Sequence, residues 1–171
     1  MSHTIEKSVV VDATPDRAWK VAADQFDQVG QWASGVAISK PNTKAPTPQG
    51  AAVGGRVCSA PGFGDIEETF TRFDADNRRF TYAAHGLPGF VTKMENTWTV
   101  TPVGNDKSKL SMRVELDTNA FPGALMAPIM KRKLAGALDG FTKEFKLWVE
   151  EGKISDAKRK LNAKQAKKAK R

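Results

Sequence analysis

The sequence predicts an α+β domain in which a curved seven-stranded antiparallel sheet grips one long C-terminal helix, with two short helices after the first strand. Three observations carry this reading. Stretches rich in β-branched and aromatic residues recur between short turns, and short connections join antiparallel neighbours. Near the C-terminus Leu134, Leu138, Phe141, Phe145 and Trp148 are spaced 4, 3, 4, 3, which is a single apolar stripe on a helix. A sheet with one apolar face needs a cover, and a helix with one stripe supplies it.

The first strand is expected over residues 5–12, where Ile5, Val9, Val10 and Val11 cluster. Thr14 then suits a helix cap, Pro15 its first position and Asp16 its positive end. Trp19, Ala22, Ala23 and Phe26 follow at helical spacing, and a second short turn runs to Gly30. Gly35 opens a strand at 36–39. Pro41, Pro46, Pro48, Gly50, Gly54 and Gly55 make residues 41–55 a loop. Five strands are expected after it, at 56–59, 66–73, 79–85, 92–102 and 109–118. The turns lie at Pro61-Gly62, Asp74 to Asn77, Gly86 to Gly89 and Gly104 to Asp106. The long helix is expected over about 123–152, with Gly152 at its end.

The chain has 171 residues, enough for one domain with a buried core. Its net charge of +8 is not spread evenly. Residues 153–171 hold nine basic residues and one acid, and residues 1–152 hold 18 of each sign. The body is thus neutral, which removes most of the case for nucleic acid binding by the body. The Lys/Ala-rich tail, with only Ile154 and Leu161 as apolar anchors, is expected to be a solvated helix or disordered. It is a candidate for electrostatic contact with nucleic acid or anionic lipid, though no aromatic residue is interleaved for base stacking. No apolar run reaches the ~18 residues of a membrane-spanning helix. Residues 1–11 show no basic stretch followed by an apolar one, so a secretory signal is not expected. One cysteine, Cys58, forms no internal disulfide, and with two distant histidines it builds no metal site. The expectation is a cytoplasmic protein without cofactor or metal. The glycine-rich stretches Gly50 to Gly55 and Gly62-Phe63-Gly64 lack the residues of a phosphate-binding loop. His85, at a strand end, reads as a surface residue.

Several groups of residues occur in a familiar succession. Ala13-Thr14-Pro15 with Trp19 is followed by Asp24-x-Phe26 and Trp32-x-x-Gly35-Val36. In the middle come Glu68-Thr-Phe70-x-x-x-Asp74, Arg79-Phe80-Thr-Tyr82 and Asn96-Thr-Trp98-Thr-Val100-Thr-Pro102. Lys131-Arg132-x-Leu134 and Leu138 lead into the last helix. The succession resembles the START-like (SRPBCC) superfamily of polyketide cyclases, dehydrases and lipid-transport proteins, with the helix-grip fold, over roughly residues 3–152. The basic tail and residues 41–50 fall outside the resemblance. It implies an apolar cavity between helix and sheet that holds a hydrophobic small molecule such as a lipid, a polyketide or a quinone. Some members are cyclases or dehydratases and others carry or sense ligands, so fold alone does not choose.

Strand alternation names the wall of such a cavity. On 92–102 the inward set is Met94, Asn96, Trp98 and Val100. On 66–73 it is Ile66, Glu68, Phe70 and Arg72, with the opposite parity left open; the resemblance turns Glu68 toward the cavity. On 79–85 it is Phe80, Tyr82 and Ala84. From the helix Met126, Ile129, Met130, Leu134 and Leu138 close the space, while Trp19, Phe141, Phe145 and Trp148 are assigned to the core. Glu68 with Arg72 reads as a buried ion pair, a grip on a polar head, or rim charges. Asn96 stands out as an amide on an apolar face, which needs a partner when buried. As an acid–base trio Glu68, Tyr82 and Asn96 are chemically competent, but no catalytic residue is assigned. The competing functions are a carrier of a hydrophobic small molecule, a cyclase or dehydratase, and a binder of polyanions through the tail.

Overall fold

In the computed structural model residues 1–61 and 64–169 are described. The expected Pro61-Gly62 turn and Gly62-Phe63-Gly64 loop therefore lie partly outside the described residues, as do the last two residues of the tail. Seven strands form one antiparallel sheet: β1 (Ser2–Val11), β2 (Ile38–Pro41), β3 (Gly55–Ala60), β4 (Gly64–Asp74), β5 (Arg79–His85), β6 (Val91–Pro102) and β7 (Ser108–Thr118). Their order across the sheet is β1-β7-β6-β5-β4-β3-β2. The chain thus runs as a meander from β2 to β7, and β1 joins the far edge. One long helix, α2 (Gly123–Glu151), packs against β1 and β7, as expected for an α+β helix-grip architecture.

Local chemistry accounts for the elements that frame the interior. Helix α1 (Pro15–Trp19) starts where Thr14 accepts a hydrogen bond from Arg17 N and proline takes the first turn. A π turn (Lys20–Asp24) and a 3-10 turn (Phe26–Gln31) continue it. They bury Trp19, Ala22, Ala23, Phe26 and Val29 against the sheet. Strands β5, β6 and β7 alternate strictly, with Phe80, Tyr82 and Ala84, then Asn96, Trp98 and Val100, then Leu110, Met112, Val114 and Leu116 buried on one face. Helix α2 stops at Gly152, whose left-handed φ of 65° lets its N–H bond back to Trp148 O at 3.0 Å. Gly55 is a close approach: a Cβ there would sit 2.1 Å from Glu68 O, so only glycine lets β3 lie flush on β4.

One expectation of parity fails at a β-bulge. The β4–β5 register shifts between Phe70 and Arg72, so Thr71 is an extra residue in the ladder. Glu68 and Phe70 keep the inward parity, but beyond the bulge Phe73 takes the inward place and Arg72 turns out to solvent. Of the readings open for Glu68 and Arg72, the buried ion pair between them is not formed, and Arg72 is a surface charge.

The tail is a helix, α3 (Asp156–Ala169), and its first turns are docked on the body. Lys158 is fully buried, and its Nζ donates to Val36 O at 2.8 Å. Gln165 Nε2 donates to Ala37 O at 3.1 Å, beside the edge strand β2. Ser155 caps the helix by accepting from Lys158 N at 3.0 Å, and its hydroxyl donates to Glu144 Oε1 on α2. A solvated extension has no such contacts.

Candidate functional site

A cavity of about 310 Å³ lies between α2 and the sheet. Its wall is mainly apolar: Val36, Ile66, Leu87, Val91, Met94 and Leu116 from the sheet and its loops, with Met130, Leu134, Leu138 and Phe141 from α2. Gly136 and Gly140 leave bare backbone on the helix side, and a Cβ added at either meets nothing within 4 Å. A volume near 300 Å³ with an apolar lining and a few polar groups is the usual form of a small-molecule site. No helix among the described residues is long and apolar enough to cross a membrane, and no metal-ligand cluster occurs among them.

The polar groups gather where β3, β4, β5 and β6 face the cavity. Arg56 Nε donates to Glu68 Oε2, and both side chains are buried. Arg56 Nη1 donates to Phe26 O at 2.9 Å, and the guanidinium lies 3.9 Å over the Phe26 ring. Burial is the largest effect and works against the charge on Arg56, but the Glu68 charge and hydrogen bond, with smaller effects of Cys58 and Tyr82, together outweigh it and hold the guanidinium above its ordinary range. Next to the pair, Asn96 Nδ2 donates to Tyr82 Oη at 2.9 Å. Burial, and then the Glu68 charge, push the Tyr82 phenol far above its usual range, so it stays protonated. Burial likewise pushes the Cys58 thiol up, against a smaller opposing effect of Arg56, leaving an inert thiol. At the α2 side Glu144 accepts from Ser34 N at 2.8 Å and from the Ser155 hydroxyl.

Two buried polar atoms in the wall have no hydrogen-bond partner among the described residues: Asn96 Oδ1 and Trp98 Nε1. Asn96 is 3% exposed and Trp98 2%. They sit two residues apart on β6, on the same face.

The expected wall residues divide into three groups. Ile66, Glu68, Tyr82, Met94, Asn96, Trp98, Met130, Leu134 and Leu138 line the cavity together, while Ala84 and Val100 are buried outside its lining. Phe70 and Phe80 are buried elsewhere, in an aromatic core with Trp19, Phe26 and Phe73 beneath α1. Arg72 and Ile129 face solvent, and Met126 is half-buried outside the lining. Ile129 lies five residues before Leu134, which at about 100° per residue puts it about 140° off the stripe. Phe121 and Leu125 are likewise exposed. In the sequence Arg56 reads only as the start of a strand; its place two residues before Cys58, on the same parity, is the available signal. Phe141, assigned to the core, also lines the cavity, where it lies 5.1 Å from Trp98.

The sequence profile described as polyketide cyclase / dehydrase and lipid transport matches residues 2–150. No curated protein matches the chain. Among solved structures, a START superfamily protein from Mycobacterium smegmatis superposes with a TM-score of 0.69 at 16% identity, over 88% of this chain and 99% of that one. Truncated norcoclaurine synthase from Thalictrum flavum gives 0.66 at 19% identity, over 90% and 96%. The di-domain ARO/CYC protein BexL of the BE-7585A biosynthetic pathway gives 0.65 at 14% identity, over 85% of this chain and 47% of that one. At these identities the likeness is one of fold.

Proposed function

The chain belongs to the polyketide cyclase / dehydrase and lipid transport family, and on that premise we propose that it binds or carries a hydrophobic small molecule, lipid-, polyketide- or quinone-like, between α2 and the sheet. The observation that supports this reading is the apolar cavity of about 310 Å³ with Arg56, Glu68, Tyr82 and Asn96 gathered on its sheet side. Mass spectrometry of an organic extract from freshly purified protein tests it. A single apolar compound enriched over the extract of an unrelated protein prepared alongside is expected. An extract with no enriched compound, with no apolar molecule able to bind afterwards, contradicts it.

A second reading, a cyclase or dehydratase, has one observation in its favour: Tyr82 and Asn96 are hydrogen-bonded at 2.9 Å and both line the cavity. The protonation states argue against it. The phenol is held protonated and is a poor acid, and the Glu68 carboxylate is engaged with Arg56. A general acid or base works best with a pKa near the operating pH. Turnover of an aromatic polyketide-like substrate that is lost in Tyr82→Phe with binding intact would favour the enzyme.

A further inference from the structure

Asn96 Oδ1 accepts nothing and Trp98 Nε1–H donates to nothing among the described residues, although both side chains are almost fully buried. A buried polar group without a partner is costly, and more than nine in ten such groups in folded proteins are paired. The two lie at i and i+2 on β6, about 6.6 Å apart along the strand. One is an acceptor and the other a donor, the complement of a hydroxyl, which both donates and accepts.

The charges around the cavity narrow the ligand further. The acidic and basic side chains among its described lining are Arg56, Glu68 and Glu144. Arg56 is engaged with Glu68 and with Phe26 O. Glu144 is held by Ser34 N and Ser155, with the Lys158 ammonium near enough to feel its charge. A carboxylate or phosphate head would meet two carboxylates and an arginine already taken. An ammonium head would meet the Arg56 guanidinium at Glu68 and the Lys158 ammonium near Glu144, like charges in both places. Burying an unpaired charge is far costlier than burying a paired one.

We propose that the ligand of this cavity is an uncharged apolar molecule bearing a hydroxyl, read by Asn96 Oδ1 and Trp98 Nε1–H. The proposal rests on the reading of the cavity as a ligand site and specifies its chemistry. It separates phenols and alcohols from free fatty acids, phospholipid heads and amines. It also assigns Asn96 and Trp98 as specificity-determining residues, with the ring of Phe141 beside Trp98 as apolar support.

Equilibrium dialysis of the full chain against five probes of one skeleton tests it: naphthalene, 2-methoxynaphthalene, 2-naphthol, 2-naphthoate and 2-naphthylmethylammonium. 2-Naphthol is expected to bind at least about tenfold tighter than naphthalene and than the ether, which accepts but cannot donate. The two ions are expected to bind weakest. In Asn96→Leu and in Trp98→Phe the preference of 2-naphthol over naphthalene falls to within about twofold, with naphthalene binding retained as a sign that the cavity is intact. Equal binding of naphthalene and 2-naphthol, equal binding of the ether, or tighter binding of either ion overturns the proposal and leaves the carrier reading standing. Failure of all five probes, with no compound in the organic extract, removes the carrier reading and this proposal with it. If the extract holds a compound, a molecule with a free carboxylate or ammonium and no hydroxyl also overturns the proposal.

Discussion

Arg56 and Glu68 show how a single pair can fix one end of the site. The guanidinium is sandwiched between the carboxylate, the Phe26 carbonyl and the Phe26 ring, all away from water. Such a pair contributes modestly as a whole, because desolvation cancels much of the attraction, but losing one partner strands the other charge. Glu68→Gln is therefore expected to destabilise the protein by about 3–5 kcal/mol in urea unfolding, whereas replacing both residues by methionine is expected to cost far less. An equal loss in the single and double variants would mean that the pair itself, not the stranded charge, supplies the stability. The alternation of β6 makes Asn96 and Trp98 legible from the sequence, because an amide between Met94 and Trp98 breaks an apolar parity. Arg56 is not legible in that way. Its burial depends on β3 lying flush on β4 at Gly55 and on the carbonyl of Phe26, contacts between segments 12 and 30 residues distant.

At the scale of elements, helix α2 combines two demands. Its stripe from Leu134 to Trp148 covers the sheet, and this stripe is visible in the sequence as 4, 3, 4, 3. Gly136 and Gly140 serve neither the stripe nor helix stability, since glycine inside a helix is unfavourable by about 0.5–1 kcal/mol relative to alanine. They line the cavity and have open space around them. Gly136→Ala and Gly140→Ala are expected to raise stability by about 0.5–1 kcal/mol each in thermal or urea unfolding; a loss of stability would mean that the glycines are needed for the fold. The same helix shows where periodicity misleads, because apolar character alone drew Ile129 into a wall it faces away from. Strand β4 gives the matching case: no residue pattern announces the bulge that turns Arg72 outward. With almost no apolar anchor the tail reads as a solvated helix or disordered; α3 docks through hydrogen bonds and one buried lysine. Burial lowers the Lys158 pKa from its ordinary 10.5, with Glu144 opposing in part. In the window between that lowered value and 10.5 the folded state binds fewer protons than the unfolded one, so stability rises with pH there. The difference in unfolding free energy between the full chain and residues 1–152 is expected to grow in favour of the full chain from pH 7 to pH 10. In Lys158→Met it is expected to stay flat; a pH-dependent difference that survives this substitution would place its origin elsewhere.

For the whole molecule, charge and cavity divide the chain into two parts with separate physics. Residues 1–152 carry no net charge, and residues 153–171 carry all of the +8. Lys153, Arg159, Lys160, Lys164, Lys167 and Lys168 are exposed around the docked face of the tail. Polyanion binding scales with the number of cations that release counterions, so retention on heparin is expected to be strong for the full chain, to fall steeply with salt, and to vanish for residues 1–152. The truncated chain is expected to remain folded, with a melting temperature lower by a few degrees, since about 2–4 °C corresponds to each kcal/mol in a domain of this size. Persistent retention of the truncated chain would locate a basic surface in the body.

The central claim is that an apolar molecule enters between α2 and the sheet, and the methionines report on it directly. Of the five, Met94 and Met130 line the cavity from opposite sides, while Met1 and Met126 lie outside its lining. With methyl-labelled methionine, a titration with 2-naphthol is expected to shift the Met94 and Met130 resonances together, with one dissociation constant, and to leave Met1 and Met126 in place. Shifts confined to Met1 or Met126, or five unmoved resonances at saturating probe, would contradict the account.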